Sequence, residues 1–142
     1  MRARVLFVLA LVAHVLGWVL PVIDDGDRVY RGVHAFRVAL SPLVPYEQFH
    51  IPAGYRMWLS AGSALTNVVF VALAVYLWPS VTRSVGNRLG VFVLGAVTLL
   101  NLHWPITLRS TPADLESGYY VWVASFVLLL LAVHPALAAR KT

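Results

Sequence analysis

The chain of 142 residues contains no cysteine and little charge, since only 12% of its residues are Asp, Glu, Lys or Arg. The missing thiols exclude disulfides, thiolate catalysis, thioether-linked haem and zinc–thiolate sites. A soluble domain carries about twice this fraction of charged residues, whereas 60% of this chain is hydrophobic. The length suits one domain, and the composition indicates that this domain is an integral membrane protein.

Motifs of the common enzyme classes are also missing. The sequence has no Gly-x-Ser-x-Gly elbow, no Walker loop, no His-Glu-x-x-His and no dinucleotide fingerprint. We therefore expect a protein that is not an enzyme and that has no bound cofactor. A pI near 10.1 would favour a nucleic-acid partner in a soluble protein. In a membrane protein the position of the charges matters more, and we expect no nucleic-acid partner.

Four long runs without a charged residue organise the chain. Each reaches the roughly 20 residues that a helix needs to cross a ~30 Å hydrocarbon core. The sequence therefore predicts one all-α transmembrane domain over residues 1–142, embedded in the lipid bilayer as a multi-pass protein. The four predicted transmembrane helices cover about residues 5–21, 59–78, 88–104 and 118–135.

The placement of the charges predicts the orientation. If the N-terminus is cytoplasmic, the inner segments hold six Lys or Arg and no acid, and the outer segments hold five Arg and all six acids. Basic residues close to the ends of the spans favour the cytoplasmic side. We therefore expect both termini in the cytoplasm, with outer loops over residues 22–58 and 105–117.

The long outer loop is predicted to form a helical cap over Asp27–Leu40. Four apolar residues recur there at helical spacing and form one amphipathic stripe: Val29, Val33, Phe36 and Leu40. Three carboxylates stand at the helix start, where they can cap free backbone N–H groups: Asp24, Asp25 and Asp27. A stripe of this kind rests on lipid, on the helix bundle or on another protein.

Metal and haem sites are the alternative interpretations of the polar residues. The segment "DDGD" lacks the ligand spacing of a calcium loop. His34 and His50, with Asp24 or Asp25, are candidate ligands of a transition metal, although their spacing does not require one.

Transmembrane histidines are candidate haem ligands. At ~1.5 Å per residue, His14 lies roughly 10 Å below the outer end of its span and His103 less than ~3 Å below its own. Axial ligands of one haem should approach the iron at similar depth. This difference in depth argues against a shared haem and favours ordinary hydrogen-bonded side chains.

Each predicted span places one polar side chain at a similar depth, roughly 9–12 Å below its outer end. These residues are His14, Asn67, Thr98 and Ser125. Interhelical hydrogen bonds among them would fix the register of the helices. In the alternative, each side chain bonds the backbone of its own helix.

The segment "SGYYVWVASFVLLLLA", residues 117–132, resembles the last span of small, uncharacterised bacterial four-helix membrane proteins. The resemblance implies a bacterial inner membrane and a four-span architecture, and it brings no assigned activity.

A small helix bundle without a recognisable set of active-site residues typically associates with another protein. We therefore expect an accessory or scaffold subunit that docks on other membrane proteins, or a chain that associates with itself. Two alternatives stay open: a small transporter or channel-like oligomer, and a haem- or metal-binding protein that uses His14 and His103 or His34 and His50.

Overall fold

The computed structural model describes residues 2–44, 54–83, 85–108 and 114–134. This part of the chain is mostly helical and also contains a small sheet. The helices are α1 (Arg2–Val19), α2 (Gly32–Leu40), α3 (Tyr55–Arg83), α4 (Arg88–Asn101), α5 (Trp104–Thr107) and α6 (Ser117–Val133). The strands are β1 (Pro21–Asp24), β2 (Val29–Arg31) and β3 (Asp114–Leu115).

Three helical segments are long and apolar enough to cross a membrane: α1, α3 and the segment Arg88–Ile106. These helices support the class of protein that the composition predicted. α6 is as apolar as these three segments but has only 17 residues. At ~1.5 Å per residue its length is about 26 Å, slightly less than a ~30 Å hydrocarbon core. The fourth span consequently stays a prediction.

α3 is longer than its predicted span, because it runs through Pro79 to Arg83. Proline removes one hydrogen bond from a helix interior and usually ends or kinks the helix. Leu77 and Val81 on either side are 0% and 1% exposed. Their burial in the bundle holds the last turn in place, so packing overrides the local signal of the proline.

The helices pack around two apolar clusters. The first fills the bundle, where α1 runs along α6, and its most buried large residues are Phe70, Leu77, Leu94, Phe126 and Leu129. The second lies at the end of the bundle next to the sheet, and it includes Ile23, Tyr30, Val38, Trp104 and Tyr119. The second cluster attaches a cap, formed by β1, β2, α2 and β3, to the helices.

The first part of the cap is a sheet, and the predicted helix over Asp27–Leu40 is wrong there. β1 pairs antiparallel with β2 and with β3, in the order β2-β1-β3. The helix begins only at Gly32, and its N-cap residue Arg31 makes no side-chain cap bond. The prediction failed because β1 is paired with Asp114–Leu115, far along the chain, and local spacing does not reveal such a pairing.

Two of the three aspartates, Asp24 and Asp25, accept hydrogen bonds within the hairpin turn between β1 and β2, so the assignment of the three as a helix cap is also wrong. Asp24 Oδ1 accepts from the backbone N–H of Gly26 at 2.9 Å. Asp25 Oδ1 accepts from those of Asp27 at 3.1 Å and Arg28 at 2.7 Å. Gly26 has a φ of +86°, a value that glycine adopts without strain. Asp-Gly is a hairpin signal in its own right.

The predicted stripe does not form one buried face. Val29 lies on β2 and is 55% exposed, and Val33 at the start of α2 is 45% exposed. Phe36 and Leu40 are half-buried against the second cluster. The buried face of α2 consists instead of Ala35, Val38 and Ala39. The strand at 29–31 breaks the helical phase on which the stripe depended.

Candidate functional site

A cavity lies between the cap and the ends of α1, α3 and α6. Its volume is about 50 Å³. Its walls contain five aromatic side chains, contributed by α1, α2, α5 and α6: Trp18, Phe36, Trp104, Tyr119 and Trp122. This mostly apolar cavity with a few polar groups is the candidate functional site, as ligand pockets commonly have this composition.

Glycines let the cap approach the helices closely enough to roof the cavity. A Cβ on Gly32 would collide with the carbonyl oxygen of Gly17, and one on Gly118 with the carbonyl oxygen of Pro21. Backbone hydrogen bonds hold the same contacts, since Gly32 N donates to Leu20 O at 3.2 Å and Glu116 N donates to Val22 O at 2.9 Å. The roof is therefore attached directly to the backbone of the bundle.

A buried hydrogen-bond network supports one wall. Trp104 Nε1 donates to Ser63 Oγ at 2.9 Å, and Ser63 Oγ donates to Asn101 Oδ1 at 2.9 Å. Asn101 Nδ2 donates to Thr66 Oγ1 at 3.2 Å, and the Asn101 carbonyl accepts from Tyr119 Oη at 2.9 Å. The network joins α3, α4, α5 and α6. In an apolar surrounding such bonds fix the positions of helices.

Asn67 lies on the cavity wall and is 8% exposed. Its Oδ1 accepts from Trp122 Nε1 at 2.9 Å, and its Nδ2 donates to Ala64 O at 3.0 Å. A side-chain amide has two N–H donors. Among the described residues only one of these two donors has a partner.

The predicted polar layer is formed in part. His14 Nδ1 lies 3.1 Å from Ser125 Oγ, which joins α1 to α6. Asn67 is hydrogen-bonded to Trp122 of α6. It makes no hydrogen bond to His14 or to Ser125. Thr98 Oγ1 donates to Leu94 O of its own helix at 2.6 Å, as the alternative interpretation expected. The structure thus brings together His14 and Ser125, and leaves Thr98 outside.

His14 is enclosed by aromatic rings. It is 6% exposed and stacks on Phe70, with ring centroids 3.8 Å apart and planes at 3°. Ser125 Oγ donates to the carbonyl of Trp122 at 2.6 Å, so its oxygen is left to accept from His14 Nδ1–H. The Nε2 atom of His14 is then a lone-pair acceptor, and among the described residues it has no hydrogen-bond partner.

The histidines proposed as ligands are not grouped by the structure. In the part of the chain that it describes, no set of three or more His, Cys, Asp or Glu is arranged to hold a metal ion. His103 donates from Nδ1 to Leu100 O at 2.8 Å, and its buried Nε2 has no partner there. His34 is exposed on α2, and His50 lies outside the described residues. The metal and haem interpretations stay predictions.

Sequence reasoning missed the network around Asn101. The residue follows a long apolar run, and its depth below the outer end did not match that of the other polar residues. Asn101 contacts Ser63 and Trp104 because of the face that each helix turns toward its neighbour. A pattern of depths carries no information about rotation, whereas two small polar residues at positions 60 and 63 were a usable signal of a packed face.

Comparison of the chain with protein-family models, with curated proteins and with solved structures gave no match.

Proposed function

We propose that this chain is a non-catalytic, four-span protein of the bacterial inner membrane that serves as an accessory or scaffold subunit of a larger membrane complex. Three sufficiently long apolar helices support the membrane location. Between the end turns of α1, α3, α4 and α6, the exposed side chains are apolar or aromatic, as contact with lipid requires.

The distribution of charge supports cytoplasmic termini and an outer cap. Arg4 donates to the carbonyl of Thr82 at 3.0 Å, which brings the start of α1 next to the end of α3. Asn87 N donates to Val133 O at 3.0 Å, so the start of α4 meets the end of α6. The basic residues of these ends therefore share one side, whereas Asp24, Asp25 and Asp27 lie at the other. Clustered basic residues favour the cytoplasmic side.

Exposed apolar residues on the cap are the observation that carries the docking role. Val29 and Val33 are 55% and 45% exposed although they lie outside the long apolar helices. Their neighbours Arg28, Arg31 and Arg37 are exposed as well. The cap buries its own apolar residues against the bundle, so these two valines are not part of that core. Apolar surface rimmed by polar groups is typical of interaction sites.

Site-specific photocrosslinking in bacterial cells tests the role. A photoreactive phenylalanine at Val33 is expected to give a discrete adduct with one other membrane protein. The same protein should co-purify with the chain in native mass spectrometry from mild detergent. The double variant Val29→Asn/Val33→Asn should lose that partner, because polar amides replace the apolar contact.

Val68 provides the matched control position, since it lies on α3 and is 62% exposed. The photoreactive residue there should give lipid adducts without the protein adduct. Lipid adducts alone at both positions, with a lone monomer in native mass spectrometry, would contradict the accessory role. So would adducts of the chain with itself alone.

A further inference from the structure

Four exposed arginines lie at the end of the bundle opposite the cap: Arg2, Arg4, Arg83 and Arg88. They stand at the start of α1, at the end of α3 and at the start of α4. The hydrogen bonds of Arg4 to Thr82 and of Asn87 to Val133 bring these helix ends together. We refer to the four arginines as the basic end.

No carboxylate offsets the basic end in the described part of the chain. Five of the six acids lie in the cap or directly next to it: Asp24, Asp25, Asp27, Asp114 and Glu116. The sixth, Glu47, lies outside the described residues, in the same outer segment of the sequence as the first three. The outer segments hold five arginines and six acids, whereas the inner segments hold six basic residues and no acid. Counter-charge for the basic end must therefore come from outside the chain.

Arg83 and Arg88 are the arginines most available to another molecule. Arg4 already donates to the carbonyl of Thr82 at 3.0 Å. The guanidinium groups of Arg83 and Arg88 make no hydrogen bond or ion pair with the residues that the structure describes, and both side chains are exposed. A guanidinium carries five N–H donors in a planar fork that matches two oxygens of a phosphate group. These two residues therefore suit a phosphate better than a small halide ion.

An exposed apolar stripe begins one helical turn from Arg88. Phe92 and Leu99 follow it at spacings of four and seven residues on the same side of α4, and they are 74% and 71% exposed. At ~1.5 Å per residue the stripe ends about 16 Å from Arg88 along the helix axis. A phospholipid has the same arrangement, with a phosphate at the membrane surface and an acyl chain below it. A soluble anion would match the cations alone.

We infer that the basic end binds a phospholipid with a net negative headgroup, such as phosphatidylglycerol. Arg83 and Arg88 contact the phosphate, and an acyl chain lies along Phe92 and Leu99. A zwitterionic phospholipid binds less tightly, because its ammonium group is repelled by the same arginines. The inference rests on the proposed membrane location, and it does not depend on the docking role of the cap.

Native mass spectrometry of the purified full chain in mild detergent measures the preference. The probes are phosphatidylglycerol and phosphatidylethanolamine with identical acyl chains, titrated separately and in competition. One basic residue near an anionic lipid contributes about a factor of five in affinity. The two arginines should therefore give the parent a preference of about 25-fold for the anionic lipid. Arg88→Gln should lower the preference about fivefold, and Arg83→Gln/Arg88→Gln should bring the two lipids close to parity.

Two further variants separate the site from general effects of charge and of apolar surface. Arg31→Gln/Arg37→Gln removes the same number of charges from exposed positions on the cap, and it should leave the preference unchanged. Phe92→Ala should weaken the binding of both lipids by a similar factor, because it shortens the contact with the acyl chain only. Thermal unfolding in detergent checks that each variant is folded, as expected for substitutions of exposed side chains.

Several results would overturn the inference. Equal binding of the two lipids by the parent would show that the headgroup charge is not recognised. An equal loss of preference in the cap control would show a response to net charge instead of a site. Complete displacement of the lipid by an equal concentration of glycerol phosphate, or unchanged lipid affinity in Phe92→Ala, would remove the role of the acyl chain.

A protein partner at the basic end is the remaining alternative. It would appear as a co-purifying acidic protein that Arg83→Gln/Arg88→Gln loses while the lipid preference stays unchanged, and this outcome also contradicts the inference. The cap variant Val29→Asn/Val33→Asn should not alter the lipid preference. Failure of the lipid site can therefore be distinguished from failure of the proposed docking role.

Discussion

At the scale of single residues, the hydrogen bond between His14 and Ser125 is the polar contact that sequence depth predicted and the structure contains. Interhelical hydrogen bonds in membrane proteins contribute about 0.6 kcal/mol on average. His14 also stacks on Phe70, and a stacked aromatic pair adds about 0.5–1.5 kcal/mol. The imidazole therefore contributes through two contacts of comparable size.

A double-mutant cycle separates these two contributions. We expect His14→Leu to lower the free energy of unfolding in detergent by about 1–2 kcal/mol and Ser125→Ala to lower it by about 0.6 kcal/mol. The double variant should lose about 0.6 kcal/mol less than the sum. Thr98→Val should have little effect, since Thr98 bonds its own helix. A coupling energy of zero would show that the bond does not stabilise the fold.

Asp25 makes the hairpin turn sensitive to acid. The backbone N–H of Arg28 is the main cause that holds the pKa of its carboxyl below the ordinary value of 3.8, and the Tyr30 hydroxyl and the backbone N–H of Asp27 act in the same direction. A lowered pKa means that the folded turn favours the carboxylate. Its contribution is complete above the ordinary pKa and is lost as the pH falls through the lowered one.

The pH dependence is visible in amide hydrogen exchange. We expect the Arg28 amide to lose protection as the pH falls below about 4, after correction for the intrinsic effect of pH on exchange. In Asp25→Asn the protection should be lower at neutral pH and should not change over this range. Amides in α6 are the internal control. Unchanged protection of Arg28 down to the pH at which α6 opens would contradict the role of the carboxylate.

At the scale of elements, the structure separates what local patterns determine from what they do not. The uncharged runs located α1, α3, α4 and α6 to within a few residues, because the need to exclude charge from lipid acts on every position of a span. The cap was predicted only in part. The segment "DDGD" suits a helix start and a hairpin turn equally well, and the choice depends on pairing of β1 with β3.

The packing of α1 on α6 depends on Gly17. A Cβ added there would lie 2.7 Å from Cβ of Trp122, a separation that forces the helices apart. We expect Gly17→Ala to lower the free energy of unfolding by about 1–3 kcal/mol through overpacking. It should also disturb the cavity, because Gly17 and Trp122 both line it.

Gly95→Ala is the matched control for that substitution, since Gly95 also lies within a helix. Its added Cβ would be 3.9 Å from the nearest side-chain atom, Cδ1 of Leu130. Alanine is favoured over glycine in a helix interior by about 1 kcal/mol, so this variant should be as stable as the parent or more so. Thermal unfolding in detergent measures both variants, and equal stability of the two would contradict the close contact at Gly17.

At the scale of the whole molecule, one end of the bundle differs from the other in charge and in structure. The acidic hairpin and the exposed valines belong to the cap, and the aromatic cavity lies between the cap and the helices. The opposite end presents Arg2, Arg4, Arg83 and Arg88. The proposed docking surface and the cavity therefore share one element, α2, whose exposed start carries Val33 and whose buried face lines the cavity.

The cysteine-free chain makes this orientation directly measurable, because a single introduced cysteine is the only thiol. Asp27→Cys in the hairpin and Val85→Cys between α3 and α4 both replace exposed residues. In intact spheroplasts, a membrane-impermeant maleimide should label the first and leave the second unlabelled. After permeabilisation both should react, since neither side chain is buried in the fold. A C-terminal epitope tag should likewise be protected from external protease until permeabilisation, because α6 returns the chain to the cytoplasm in the proposed topology. Labelling of Val85→Cys alone in intact spheroplasts would invert the orientation, whereas an externally cleaved tag would show that α6 does not cross the membrane.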